Sequence, residues 1–250
     1  MKVISIINHK GGVGKTTSVI NIGSKLSLNY RVLLIDLDSQ ANLTYSLGQG
    51  KEYSETIYNA LKGQTEKLPI YPIKENLSFV PSCLDLSGAE IELSNQIGAQ
   101  SILKELIEKH ESEFDYILID CPPSLALMSV NGLTASDFVL IPTQTEVYSV
   151  HGLSKLLEVI TLIKRRLNTR LEEPILFINQ YDNRKTLHKQ IKNALEVRFS
   201  DRLLSTPIPS NIALAEAQAL GKSIFEYMPN SKGAEAFSYI TKELLKFIAY

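Results

Sequence analysis

Eight consecutive residues, Lys10-Gly11-Gly12-Val13-Gly14-Lys15-Thr16-Thr17, hold the strongest chemistry in the chain. Three glycines let a backbone curl until successive N–H groups point at one anion. A helix starting near Thr16 would add its positive N-terminal dipole. At this spacing Lys15 would reach the β- and γ-phosphates of a nucleotide, and the Thr16 hydroxyl would bind Mg²⁺. Position 9 is His where the usual loop has Gly, and a second lysine, Lys10, opens the loop. Lys15 already serves the loop's own nucleotide. Lys10 is therefore expected to act in trans, supplying transition-state charge to a second subunit as an arginine finger does.

Carboxylates follow at two strand-like ends. Asp36 and Asp38 lie two apart, so both would face one way if the segment is extended. Together they are read as catalytic, one orienting an attacking water or holding Mg²⁺ through water. Tyr116-Ile117-Leu118-Ile119-Asp120 is an apolar run closed by an acid, the pattern that supports Mg²⁺ beside a phosphate loop. The expected metal set is Thr16, Asp38 and Asp120.

These residues need a frame. Near-continuous apolar runs are expected as strands at Lys2–Asn8, Arg31–Asp36, Leu77–Pro81, Tyr116–Asp120, Phe138–Pro142 and Ile175–Asn179, with a last short one at Leu204–Pro207. Helical spacing marks Thr17–Leu28, Ser101–His110, Gly152–Leu167, Leu187–Phe199, Asn211–Leu220 and Lys232–Ala249. The alternation predicts one doubly wound α/β domain over residues 1–250, a mostly parallel sheet flanked by helices with ligands at the strands' carboxyl ends. The chain begins at its first strand, so no N-terminal helix-turn-helix domain is expected.

Composition excludes little more. Apolar residues are 44% of the chain, which argues against disorder. No apolar run approaches a membrane span, and no signal peptide is evident, so a cytoplasmic location is expected. Two cysteines, Cys83 and Cys121, make a disulfide scaffold implausible.

The loop Lys10–Thr17 resembles the deviant Walker A P-loop of the ParA/MinD ATPases. Asp36-Leu37-Asp38-Ser39-Gln40-Ala41-Asn42 resembles the family's D-x-D-P-Q-x-N, with Ser39 replacing proline, and Asp120-Cys121-Pro122-Pro123 resembles its D-x-P-P. The run Leu86–Leu93 is more like partition ATPases of the ParA/Soj branch than MinD. The resemblance implies a P-loop NTPase fold, ATP and Mg²⁺ as cofactors, and a homodimer on ATP binding. It implies that Asp38 is required for hydrolysis and that Asp36 assists. It implies nucleotide contacts from Gly11, Gly12, Val13, Gly14, Lys15, Thr16 and Thr17. It also implies that Asn179 contacts adenine and that Pro207 closes the base pocket. It implies non-specific DNA and a ParB-type centromere-binding protein as partners, nucleoid association, and DNA segregation driven by ATP hydrolysis.

The near-neutral net charge of −1 hides an uneven distribution: −6 over residues 1–150, +5 over 151–202 and 0 over 203–250. Within the basic stretch, Lys164, Arg165, Arg166, Arg184, Lys189 and Arg198 are candidates for phosphate-backbone contact without sequence reading. Arginines that Soj-like proteins carry after the last strand are replaced here by Ser210 and Ala213, which places more weight on this stretch. The alternative is a MinD-like or cargo-positioning ATPase acting on a membrane or protein assembly. Ile240–Tyr250 is the segment that a membrane helix would use, and its pattern fits a packed core helix better.

Overall fold

The computed structural model describes residues 1–146 and 149–249. Seven strands form one sheet: β1 (Lys2–Ile6), β2 (Val32–Asp36), β3 (Tyr71–Lys74), β4 (Leu77–Val80), β5 (Tyr116–Asp120), β6 (Phe138–Gln144) and β7 (Ile175–Asn179). Their order is β3-β4-β2-β5-β1-β6-β7, and all neighbours are parallel except β3 with β4. Six of the seven were expected.

β3 escaped the sequence reading because it is four residues long and carries Pro72. A proline is tolerated there because an edge strand can leave one side without a ladder. The strand expected at Leu204–Pro207 does not form. Only isolated bridges join Leu176 with Leu203 and Tyr181 with Pro209, although Leu204 and Ile208 still donate N–H bonds to Leu176 and Ile178. Between those two bonds Ser205 and Thr206 turn to Glu243 instead, Ser205 donating its N–H and both donating their hydroxyls.

Helices cover both faces, and side chains alternate between two cores. Val3, Leu33, Ile35, Ile117 and Ile119 face one core. Ile4, Ile6, Val32, Leu34 and Leu118 face the other. The second core is closed by α1 (Lys15–Leu26) and α11 (Lys232–Ile248). The apolar side of α11, including Phe237, Ile240, Leu244 and Ile248, is buried in that core, as its pattern suggested. No helix among the described residues is long and apolar enough to cross a membrane.

The parallel register places three strand ends together. Asp120 pairs in register with Ile6 on one side and Asp36 on the other. The chain leaving β1 is the glycine loop. Topology alone therefore brings the loop and two carboxylates to one edge.

Candidate nucleotide site

The loop between β1 and α1 is shaped by two left-handed glycines, Gly12 (φ 72°) and Gly14 (φ 89°). Gly14 is also the N-cap of α1. A Cβ there would collide with the Asn179 amide, so the position needs glycine on two counts. Around Gly11 and Gly12 the space is open. Ser18 secures the first turn of α1, its N–H and Oγ both donating to the Gly14 carbonyl at 3.0 and 2.6 Å.

Lys15 is 8% exposed, and its Nζ donates to the Lys10 carbonyl at 3.2 Å. Burial lowers its pKa, while Asp120 and Asp38 act in the opposite sense. Thr16 Oγ1 donates to Asp120 Oδ2 at 2.6 Å. The other Asp120 oxygen, Oδ1, is buried with no hydrogen-bond partner. Burial, and then the nearby Asp36, raise the Asp120 pKa well above the usual carboxylate range. A buried acceptor without a donor is costly. A hydrated divalent cation would satisfy it and lower that pKa. The Thr16 hydroxyl keeps a lone pair for the same ion. Thr16 and Asp120 therefore fit Mg²⁺.

Asp36 and Asp38 occupy different environments. Asp36 is fully buried. Its Oδ2 accepts from the Thr44 N–H (2.8 Å) and Oγ1 (2.7 Å), and its Oδ1 accepts from the Asp38 N–H (3.2 Å). Burial pushes its pKa up to about 7. These bonds make Asp36 a brace between the end of β2 and α2 (Asn42–Gly48). Asp38 is half-buried, with Oδ1 accepting from the Gln40 N–H at 3.0 Å. It keeps the solvent access that orienting a water requires.

Lys10 is held in cis. Its Nζ donates to Gln144 Oε1 (2.8 Å) and Glu146 Oε2 (2.6 Å), and its side chain remains 37% exposed. His9 packs where a Cβ on Gly152 would fall. Burial and the charges of Lys15, Lys10 and Lys155 lower its pKa. That suits a neutral packing residue.

Thr17 Oγ1 donates to Gln218 Oε1 at 2.7 Å, which ties the loop to α9 (Ile212–Ala219). Asn179 is 4% exposed. Its Nδ2 donates to the Val13 carbonyl (2.7 Å), and its Oδ1 accepts from the Gln180 N–H (2.9 Å). Pro207 lines a cavity of about 940 Å³ with Tyr181, Arg184, Lys232 and Tyr239, among others. Asn179 and the phosphate loop do not line it. Of the two residues expected at the base, Pro207 alone lines this cavity.

Sequence reasoning missed Thr44, Gln144, Glu146, Gln180 and Gln218. Gln144 ends β6 and Gln180 follows β7, so position at a strand's carboxyl end was the available signal.

The basic candidates lie on α7 (Ser149–Arg166), on α8 (Thr186–Arg198) and before α8. Lys164 pairs with Glu173 (3.2 Å), and Arg184 pairs with Asp182 (2.9 Å). Arg198 lies 5.2 Å from the Phe199 ring centroid. Arg165 and Arg198 line one shallow cavity. Among the described residues, Arg165, Arg166 and Lys189 have no acidic partner within 4.0 Å.

A family model described as an AAA domain matches residues 1–173. The chain is 41% identical over 247 residues to the sporulation initiation inhibitor protein Soj of Bacillus subtilis strain 168, covering 97% of this chain and 98% of that one. It superposes on a plasmid partition protein of Borrelia burgdorferi B31 bound to AMPPNP with a TM-score of 0.85, at 30% identity, over 99% of each chain. Cobyrinic acid a,c-diamide synthase from Mycobacterium smegmatis with bound ADP and magnesium gives a TM-score of 0.83 at 32% identity, over 98% of this chain and 94% of that one. With this sheet order, this loop and this identity over nearly its whole length, the chain belongs to the ParA/Soj family of chromosome-partitioning ATPases.

Proposed function

We propose that this chain is a Mg²⁺-dependent ATPase that dimerises on ATP, binds DNA without sequence preference and drives DNA segregation through hydrolysis. The observation that carries the nucleotide part is the unpartnered, buried Asp120 Oδ1 beside Thr16 and Lys15. It is an incomplete polar site at the end of a phosphate loop. When bound, Mg²⁺ supplies positive charge that offsets the charge on the phosphates. Lys15 and the loop N–H groups bind and orient the phosphates. Asp38 orients the attacking water and accepts its proton. Lys10, released from Glu146, supplies charge to the second subunit's phosphates, so ATP favours the dimer. The dimer doubles the basic surface of α7 and α8, and counterion release from DNA drives binding. A ParB-type partner that stimulates hydrolysis and a nucleoid-associated cytoplasmic location complete the reading.

The deciding experiment is co-sedimentation with DNA or with liposomes in ATP, ADP or no nucleotide. DNA bound only with ATP is the expected result. Liposome binding with no DNA binding would replace partition by a membrane-positioning role.

A further inference from the structure

A phosphate loop binds only if its N–H groups face inward. In a trans peptide the carbonyl points opposite to the following N–H. No cis peptide occurs among the described residues. Whatever holds the Gly12 carbonyl therefore aims the Val13 N–H, and whatever holds the Val13 carbonyl aims the Gly14 N–H. Both carbonyls are taken by consecutive side chains at the end of β7, with a longer second bond to Gly12 from Gln144 Nε2 at 3.4 Å. Asn179 Nδ2 donates to Val13 at 2.7 Å, and Gln180 Nε2 donates to Gly12 at 2.9 Å.

Gln180 adopts a left-handed backbone (φ 55°), which is unfavourable for a residue with a Cβ. Such strain persists where surrounding contacts hold it. Here Gln144 Nε2 donates to Gln180 Oε1 at 2.6 Å. That bond occupies the Gln180 oxygen and leaves its NH₂ facing the loop. Gln144 Oε1 meanwhile accepts from Lys10, so Lys10 and Gly12 in the first half of the loop connect to one amide pair.

We propose that Gln180 is a positioning residue for the nucleotide's β-phosphate: it locks the Gly12–Val13 peptide with its N–H inward. The proposal rests on the nucleotide reading above. It makes Gln180 a determinant of affinity for di- and triphosphates as a class, with no part in choosing the base.

Calorimetry on the full chain tests this with ADP, a non-hydrolysable ATP analogue and the matching GTP analogue. The variants are Gln180→Gly, which removes the amide and the backbone strain together, and Gln180→Glu, which keeps the size but turns an acceptor toward Gly12. Both are expected to weaken ADP and the ATP analogue equally, by roughly threefold to tenfold, the worth of one such hydrogen bond. The ATP-to-GTP preference should stay unchanged, and the Gly variant should melt within a few degrees of wild type. Unchanged ADP affinity in both variants would overturn the proposal. So would a shifted base preference, or a loss of affinity that only tracks a lowered melting temperature. Wild-type protein that binds none of the three nucleotides would overturn the nucleotide reading and this proposal with it.

Discussion

The carboxyl edge of the sheet and the outer face of α7 and α8 both gather charged residues, under opposite physical regimes. At the sheet edge Lys15, Asp36 and Asp120 are each less than a tenth exposed, and every one is tied to neighbouring backbone or side chains. On α7, on α8 and just before α8 the bases are largely in solvent, and several are balanced by acids of the same chain. Burial makes the first set selective and hard to alter. Solvent makes the second set additive, salt-sensitive and individually weak.

The sharpest way to break this comparison is at Lys10, a cation of the edge that remains 37% exposed. Lys10→Ala is expected to lower hydrolysis by about 10³-fold, the scale of a charge supplied in trans, while monomeric nucleotide affinity changes little. Steady-state hydrolysis against protein concentration, beside nucleotide binding, checks it. Wild-type turnover would remove the trans role. Asp38→Ala is next, with hydrolysis down by about 10²-fold or more and ATP retained, which should trap the ATP-bound dimer. A variant that turns over normally would show that the base lies elsewhere.

Asp36 separates what the sequence could tell from what it could not. Spacing placed Asp36 and Asp38 side by side as one catalytic pair. The structure divides them, because Thr44 at the start of α2 bonds Asp36 twice and buries it. That contact joins residues eight apart through a short helix with no marked pattern. The phosphate loop, by contrast, was readable because a strand, a glycine run and a helix are contiguous and leave one geometry. β3 and the broken edge near Pro207 were hidden for a related reason: their state depends on which neighbours a strand finds.

The Asp36 environment also predicts a pH dependence. Its folded pKa, about 7, lies above its unfolded value near 4. The folded state therefore holds a proton that the unfolded state releases between those values. Stability of the nucleotide-free protein should be full below pH 4 as far as this group is concerned. It should fall by a few kcal/mol as pH rises through about 7. Asp36→Asn should flatten that fall. Urea denaturation at pH 5 and pH 8 measures it, and an equal slope in both proteins would assign the dependence to other groups.

The smallest effects belong to the basic face, where they sharpen the contrast most. Lys164 shares Glu173 with Arg202, at 3.2 and 2.7 Å, and Arg184 is held by Asp182 at 2.9 Å. An acid already bound to a base cancels part of the potential a phosphate would feel, and exchanging one partner for another releases little. Arg165 and Lys189 carry no such partner among the described residues and stand in solvent. Replacing either by Ala should reduce the slope of log affinity against log salt by about 1, the signature of one lost phosphate contact. Lys164→Ala and Arg184→Ala should move it by clearly less. A salt titration of ATP-dependent DNA binding across the four variants decides between them. Equal slopes for paired and unpaired bases would mean that the acids release their partners on binding. The DNA surface would then follow total charge instead of the ion pairs seen in the monomer.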